Sequence, residues 1–347
     1  MAIVTVGIDL AKNVFAVHGI NEAGKPELVR PSVARDKRHE LIAALPPCVI
    51  GMEACSGAHH WARLASEIVV LPWMMSRTRA VLRLAVQRLM SSSIGVLIVI
   101  SFNVNTCAGI YWVNTFVPMK SLVQQSQLML HRARQGFVEQ RTATINRIRG
   151  LLSEFGIVLP LKAATVRRRA CECLEDLPGW ANTVVGDLLS EVSHLDERVT
   201  QYDQHIRQEA RSDARAKRLM QLGGVGETTA TCLLAMIGNG HEFDCGRQFA
   251  AWLGLVPGQY SSGGKARLGR ITKAGDPYLR SLLVMGARAV LAAAKNKTDP
   301  VSRWALAVHG RRGYWKAVVA IAAKNARMAW AVLRRGEDFA LVFIVAA

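Results

Sequence analysis

Two acids stand where an apolar run gives way to small residues. Asp9 lies in GIDLAKNVF, directly after TVGI, and Glu53 lies in GMEACSGAHHWAR, directly after CVIGM. The alternation of Val4, Val6 and Ile8 reads as a strand, and so does the run around Val49. Acids at the ends of neighbouring strands can converge on one point, and converging carboxylates hold the divalent cations that phosphodiester chemistry uses. Alone, two such acids also fit an ordinary pair of surface carboxylates.

A second constellation runs from Gly254 to Arg280, GLVPGQYSSGGKARLGRITKAGDPYLR. Ser261 and Ser262 precede Gly263 and Gly264, so a hydroxyl there sits on an uncrowded turn. Lys265, Arg267, Arg270, Lys273 and Arg280 follow at short intervals as phosphate contacts. A serine in such a loop is a candidate nucleophile on a phosphodiester, with the cations offsetting charge in the transition state. The plainer alternative is a phosphate-touching loop with no covalent role. A third feature is the turn Gly223-Gly224-Val225-Gly226 inside LMQLGGVGETTATCLLAMIGNG. Gly224 and Gly226 let backbone amides approach a ligand, and the helix that follows adds partial positive charge, as helix-hairpin-helix units do on DNA phosphates. A glycine turn made only for helix packing has the same pattern.

The elements that position these residues follow from periodicity. AIVTVGIDLAKNVFAVHGINEAGK reads as two β-rich runs of a hairpin within a mixed sheet, with a turn at Asn21–Lys25. PPCVIGMEACSG is a third short strand, and AHHWARLASEI has helical spacing, which together open an α/β domain. Ser121–Phe155 and Asn182–Ala216 each read as a long amphipathic helix. With residues 160–178 between them, they suggest an antiparallel arm or coiled coil, or else two ordinary core-packing helices.

Lys and Arg total 44 against 26 acids in 347 residues, a net charge of +18 that points to a polyanionic partner. From Gly263 onward stand 16 Lys and Arg against 4 acids, so the basic surface is expected in the C-terminal part. Seven cysteines, Cys48, Cys55, Cys107, Cys171, Cys173, Cys232 and Cys245, are an odd number without C-x-x-C spacing, which favours reduced thiols and a cytoplasmic location. No signal peptide is read at the N-terminus. His59 and His60 are adjacent and face different directions on a helix, so a surface role is expected for them. Trp252, Trp304, Trp315 and Trp330 are expected in the core.

The chain resembles the DEDD-type transposases and recombinases of bacterial insertion sequences, relatives of the Piv invertase of the IS-one-one-zero type, and more narrowly the IS-eleven-eleven subgroup. The resembling segments are GIDLAKNVFAVHG, GMEACSGAHHWAR, FVPMKSLVQQSQLMLHRAR, LLSEFGIVLP, GGVGETTATCLLAMIGN, FAAWLGLVPGQYSSGGKARLGRITKAGDPYLR and LLVMGARAVL. The resemblance implies an α/β plus all-α chain in three parts. These are a RuvC-like (RNase H-like) domain over residues 1–118, a helical coiled-coil arm over 119–216, and a mainly helical transposase domain with the serine motif over 217–347. It implies four acids that bind Mg²⁺, of which Asp9 and Glu53 match the first two. Ser262, the serine directly before glycine, best matches the nucleophile, with Ser261 one residue away. It further implies element ends and target DNA as partners, a structured guide RNA, a homo-oligomer with composite active sites, and no membrane.

The third and fourth acids should lie shortly before Phe116-Val117-Pro118, and none is there. Between Glu67 and Glu139 there is not one Asp or Glu in 71 residues, where the average composition would place about five. The resemblance stops after HHWARLAS and resumes at FVPMKS, so a pair of compensating frameshifts over residues 67–115 is the economical explanation. Within that interval Ser91–Trp112 carries no charge. A membrane span needs about 20 apolar residues, and Asn103 and Asn105 interrupt this one; IGVLIVISF is also compatible with a buried strand pair. The expected function is therefore insertion-sequence transposition, with this copy impaired. The alternatives are a catalytically inactive DNA- or RNA-binding remnant that inhibits intact copies, and a junction nuclease built on the N-terminal half alone. The apolar tail FALVFIVAA has no functional reading.

Overall fold

The computed structural model describes residues 3–10, 14–34, 37–46, 48–53, 60–63, 98–102, 115–116, 119–259 and 267–339. The chain divides into two compact units, Met1–Lys120 and Ser121–Ala347.

In the first unit, β1 (Thr5–Leu10), β2 (Val14–Ile20) and β3 (Pro26–Ala34) form an antiparallel meander. Helix α1 (Arg38–Ala43) follows, then β4 (Val49–Glu53), β5 (Ile98–Phe102) and β6 (Thr115–Phe116). The sheet order is β3-β2-β1-β4-β5-β6, with β4 parallel to β1, β5 parallel to β4 and β6 antiparallel to β5. The turn at Asn21–Lys25 leads from β2 into β3 rather than closing the first hairpin. The Asn21 side chain accepts from the amides of Ala23 and Lys25, which lets the chain reverse without a glycine pair. Strand β3 carries no clear strand pattern in the sequence, because Pro26 and Pro31 interrupt it. Such prolines fit an edge strand, which is where β3 lies. Val6, Ile8, Phe15, Val17, Ile50, Met52 and Trp61 make the core on one face. IVISF forms β5 within this sheet, as the strand reading of the uncharged run expected. No described helix is long and apolar enough to cross a membrane.

The second unit is helical apart from one hairpin. Its elements are α2 (Leu122–Ser153), α3 (Ala163–Glu172), α4 (Trp180–Ser212), α5 (Ala214–Met220), α6 (Glu227–Ile237), α7 (Gly246–Trp252), β7 (Pro257–Gln259), β8 (Leu268–Ile271), α8 (Pro277–Ala293), α9 (Pro300–Arg312) and α10 (Tyr314–Arg335). Ser121 opens α2 with a reciprocal capping box to Gln124. Helices α2 and α4 run antiparallel: Gln127 meets Glu209, Arg134 meets Asp203 and Arg141 meets Asp196, one partner advancing as the other retreats. The second long helix ends earlier than its apolar pattern does. Asp213 leaves helical geometry and caps α5 by accepting from the Arg215 amide, so a local side-chain bond interrupts an otherwise continuous stripe.

Helix α6 is the centre of this unit. Every residue from Thr229 to Ile237 is buried, which its sequence, apolar on all sides, requires. Around it pack Leu219, Leu222, Phe249, Leu253, Leu279, Leu283, Ile321 and Ala326. Trp252, Trp304 and Trp330 pack against this core as expected, while Trp315 is 65% exposed and departs from that expectation.

Candidate active site and nucleic-acid interface

The two strand-end acids come to the same level of the sheet. In the parallel pairing of β1 with β4, Thr5 lies opposite Val49 and Ile8 opposite Met52, so Asp9 and Glu53 are the next residues of adjacent strands. Val6, Ile8, Ile50 and Met52 enter the core. The period-two alternation therefore puts Asp9 on the opposite face, where it is exposed. Gly7 pairs with Gly51 immediately before the acids, leaving a strip without side chains on that face. On β5, Ser101 stands opposite Glu53, so the uncharged run continues the sheet and brings no carboxylate. Among the described residues no group of three or more His, Cys, Asp or Glu is placed to hold a metal ion.

The serine-bearing segment lies in sequence between the two strands of a clamped hairpin. Pro257 pairs with Ile271 and Gln259 with Leu268, while Ser261, Ser262, Gly263, Gly264 and Lys265 lie outside the described residues. The base is held by Thr272 N donating to Val256 O (3.0 Å) and Lys273 N donating to Gly254 O (3.1 Å). Lys273 takes a left-handed φ of 55°, unusual for a side-chain-bearing residue. Gly254, at φ +70°, faces it so closely that a Cβ there would lie 2.7 Å from the Lys273 Cα. Arg270 on β8 and Arg267 just before it are exposed. Arg280 has backbone partners: its Nη1 donates to Leu253 O (3.1 Å) and Gly275 O (2.8 Å), tying the end of α7 to the start of α8. Arg280→Met is expected to cost about 2 kcal/mol by leaving these carbonyls unpaired, read by urea denaturation. Asp276 then caps α8 by accepting from Leu279 N at 2.8 Å, with Pro277 in the first turn.

The glycine turn is explained half by packing and half by exposure. Gly224, at φ +82°, lies against Gly286 of α8, and a Cβ on Gly224 would meet the Gly286 carbonyl oxygen at 2.6 Å. The buried Asn325 of α10 donates its Nδ2 to Gly223 O at 2.9 Å and fixes the turn from below. Gly226 is different: it is exposed, begins α6, and has open space where a Cβ would go. Glu227 in the first turn of α6 pairs with Arg207 of α4 at 3.3 Å, so part of the helix-end charge is already met by the protein.

Beneath these features runs a buried polar chain that single-residue inspection of the sequence did not reveal. His131 of α2 is 1% exposed, its Nε2 lies 3.1 Å from Thr231 Oγ1, and its Nδ1 lies 3.4 Å from Tyr278 Oη. Thr231 Oγ1 also lies 2.9 Å from Glu227 O and 3.3 Å from Thr228 O, so backbone carbonyls complete its surroundings. Arg134, paired with Asp203, also bonds Tyr278. Burial, helped by the nearby Arg134, lowers the His131 pKa to about 4, and burial pushes the Tyr278 phenol up to about 12. A depressed histidine pKa favours the fold above the ordinary value of 6.5, and this contribution is lost as pH falls through 6.5 towards 4. Chemical denaturation between pH 7 and pH 4 is expected to show a loss of up to about 3 kcal/mol that His131→Gln removes.

The family model described as Transposase IS116/IS110/IS902 family matches residues 216–301. A probable family 20 transposase of Pseudomonas aeruginosa is 37% identical over 95% of this chain and 96% of its own length. The chain belongs to the IS116/IS110/IS902 transposase family. The transposase for insertion sequence element IS1111A of Coxiella burnetii is 34% identical over 96% of the chain and 90% of its own length. The transposase for element IS1328 of Yersinia enterocolitica is 31% identical over 96% and 98%. In this transposase the segment matched by the family model holds the glycine turn, α6, the clamped hairpin, α8 and the first residues of α9. Tyr278 and Thr231 of the buried chain lie in that segment, while His131 and Arg134 come from the long helix outside it.

Proposed function

We propose that this transposase cuts and rejoins DNA at the ends of its insertion sequence, with Ser262 as nucleophile and Asp9 and Glu53 as part of a divalent-cation site in a RuvC-like sheet. The observation that carries the reading is the register that sets Asp9 and Glu53 side by side at the ends of parallel strands. Family membership supports DNA as the substrate. In the reaction, Ser262 Oγ attacks a backbone phosphorus and forms a phosphoserine ester. The P–O bond to one deoxyribose breaks, and the leaving sugar oxygen takes a proton. Attack by another strand's hydroxyl reverses the exchange and frees the serine. One ester replaces another at each step, so no external energy source is needed. Arg270 on β8, Arg267 just before it, both exposed, and Lys265 serve the charge that builds on the phosphoryl oxygens.

Carboxylate oxygens at adjacent strand ends suit Mg²⁺, which polarises a phosphoryl oxygen when bound. Mg²⁺ asks for octahedral oxygen coordination, and two carboxylates leave that set incomplete. With no acid between Glu67 and Glu139, this copy is impaired by the aberrant interval 67–115. The antiparallel pairing of α2 with α4 supports the coiled-coil arm, and a homo-oligomer and a guide RNA complete the partners.

The test is a chain whose residues 67–115 are replaced by the reframed translation of the same gene, incubated with element-end DNA. A covalent adduct mapping to Ser262 is the expected result, an adduct at Ser261 shifts the nucleophile by one position, and no adduct overturns serine chemistry. A second reading, a catalytically inactive binder that inhibits intact copies, is favoured by the acid-free interval. It predicts that this chain binds element ends with an affinity that falls steeply with salt and reduces excision by an intact copy in the same cell.

A further inference from the structure

The end of α9, the connecting Gly313 and the start of α10 read GRRGYWK, and all seven residues, Gly310–Lys316, are exposed. Trp315 is 65% exposed and Tyr314 is 39% exposed, although burying either ring would favour the fold. Arg288 of α8 lies over the Trp315 ring, 5.9 Å from its centroid, and its Nε donates to Tyr314 Oη at 3.3 Å. The Tyr314 and Trp315 rings meet edge to face at 5.2 Å, and the His309 ring meets Tyr314 at 6.2 Å. These contacts fix two aromatic rings at the surface without covering them. The charge around them has one sign. Arg311, Arg312 and Lys316 join Arg288, and no Asp or Glu occurs between Asp299 and Glu337. None of the ion pairs among the described residues involves these four cations.

We propose that Tyr314 and Trp315 form a stacking platform for an unpaired base of a single nucleic-acid strand, with Arg288, Arg311, Arg312 and Lys316 holding its phosphates. The inference rests on the nucleic-acid reading above and adds the place and the state of the strand. Paired bases in a duplex keep their faces stacked on each other, whereas an opened strand offers a π-face to a ring flanked by cations. DNA opened during recombination and a loop of RNA present this same chemistry. Lys and Arg alone would mark only a phosphate-binding surface; the two exposed rings are what select an unpaired base.

The experiment measures anisotropy of labelled twelve-residue single-stranded DNA, RNA of the same sequence, and the matching duplex, titrated with the full chain. Trp315→Ala is expected to weaken single-strand binding at least about tenfold while duplex affinity stays within about twofold. Trp315→Phe should retain most of the affinity, and the double change Arg311→Ala and Arg312→Ala should weaken single strands and duplex alike. The better-bound strand type identifies the source. Unchanged single-strand affinity in Trp315→Ala, or equal loss on strand and duplex, overturns the platform. A chain that shows the Trp315 effect while its reframed version forms no serine adduct sinks the recombination reading alone. An adduct-forming chain without the Trp315 effect sinks this one alone.

Discussion

Gly286→Ala is expected to destabilise the second unit by more than about 4 kcal/mol, enough to leave the chain insoluble or without a cooperative melting transition. The added methyl would fall well inside van der Waals contact with the Gly224 carbonyl oxygen. Both sides of this contact are backbone, so no rotamer change relieves it. The turn cannot retreat, because Gly224 already occupies a left-handed φ of 82° and Asn325 holds Gly223 O from the other side. Helix α8 cannot retreat either, with Leu279, Leu283, Ala287 and Leu291 buried along it. Gly310→Ala is the matched control: it lies in α9 with nothing within 4 Å of its added Cβ, and helix propensity makes it neutral or stabilising by up to about 1 kcal/mol. Thermal unfolding of the two variants separates the cases. A Gly286→Ala chain that melts within a few degrees of the parent would contradict the close packing of the glycine turn on α8.

Ser262→Ala, made in the chain with reframed residues 67–115, is expected to lower excision by at least about a thousandfold, because a nucleophile's removal deletes the covalent step. Ser261→Ala should stay within about tenfold of its parent. The difference is expected to be sharp because in-line attack on one phosphorus uses one hydroxyl, and the residues flanking the serine segment are joined by Thr272 N to Val256 O and Lys273 N to Gly254 O. The excision frequency of each variant in cells carrying the element's ends checks it. Equal losses from both substitutions would mean that the turn's shape matters and not one hydroxyl.

Much of the architecture was legible in the sequence where a single pattern governs an element. The two long helices, the glycine turn between α5 and α6, and strands β1, β2 and β4 all carry periodicity that burial later uses. Other features depend on partners distant in sequence. Strand β3 hides behind two prolines that only an edge position accommodates. The break at Asp213 is a capping bond within an unbroken apolar stripe. The His131–Tyr278–Thr231 chain joins residues up to 147 positions apart, and its members look unremarkable one at a time. The spacing of Arg280 groups it with the phosphate-contacting cations, and the structure adds that its Nη1 bonds the Leu253 and Gly275 carbonyls, a role that spacing does not encode. Trp315 shares its residue type with three core tryptophans and differs only in facing solvent, which composition does not encode. Asp9 and Glu53 were legible because they stand at or one residue before a strand's last position, and the parallel register of β1 with β4 is the part that required the structure.

The most direct measurement is a paired excision assay in cells supplying the element's ends and its non-coding RNA, comparing this chain with the version whose residues 67–115 are reframed. Excision is expected from the reframed version, and excision at least about a hundredfold lower from the chain as it stands, since metal-site geometry governs such chemistry. Equal excision from both would contradict the claim that the acid-free interval cripples the site.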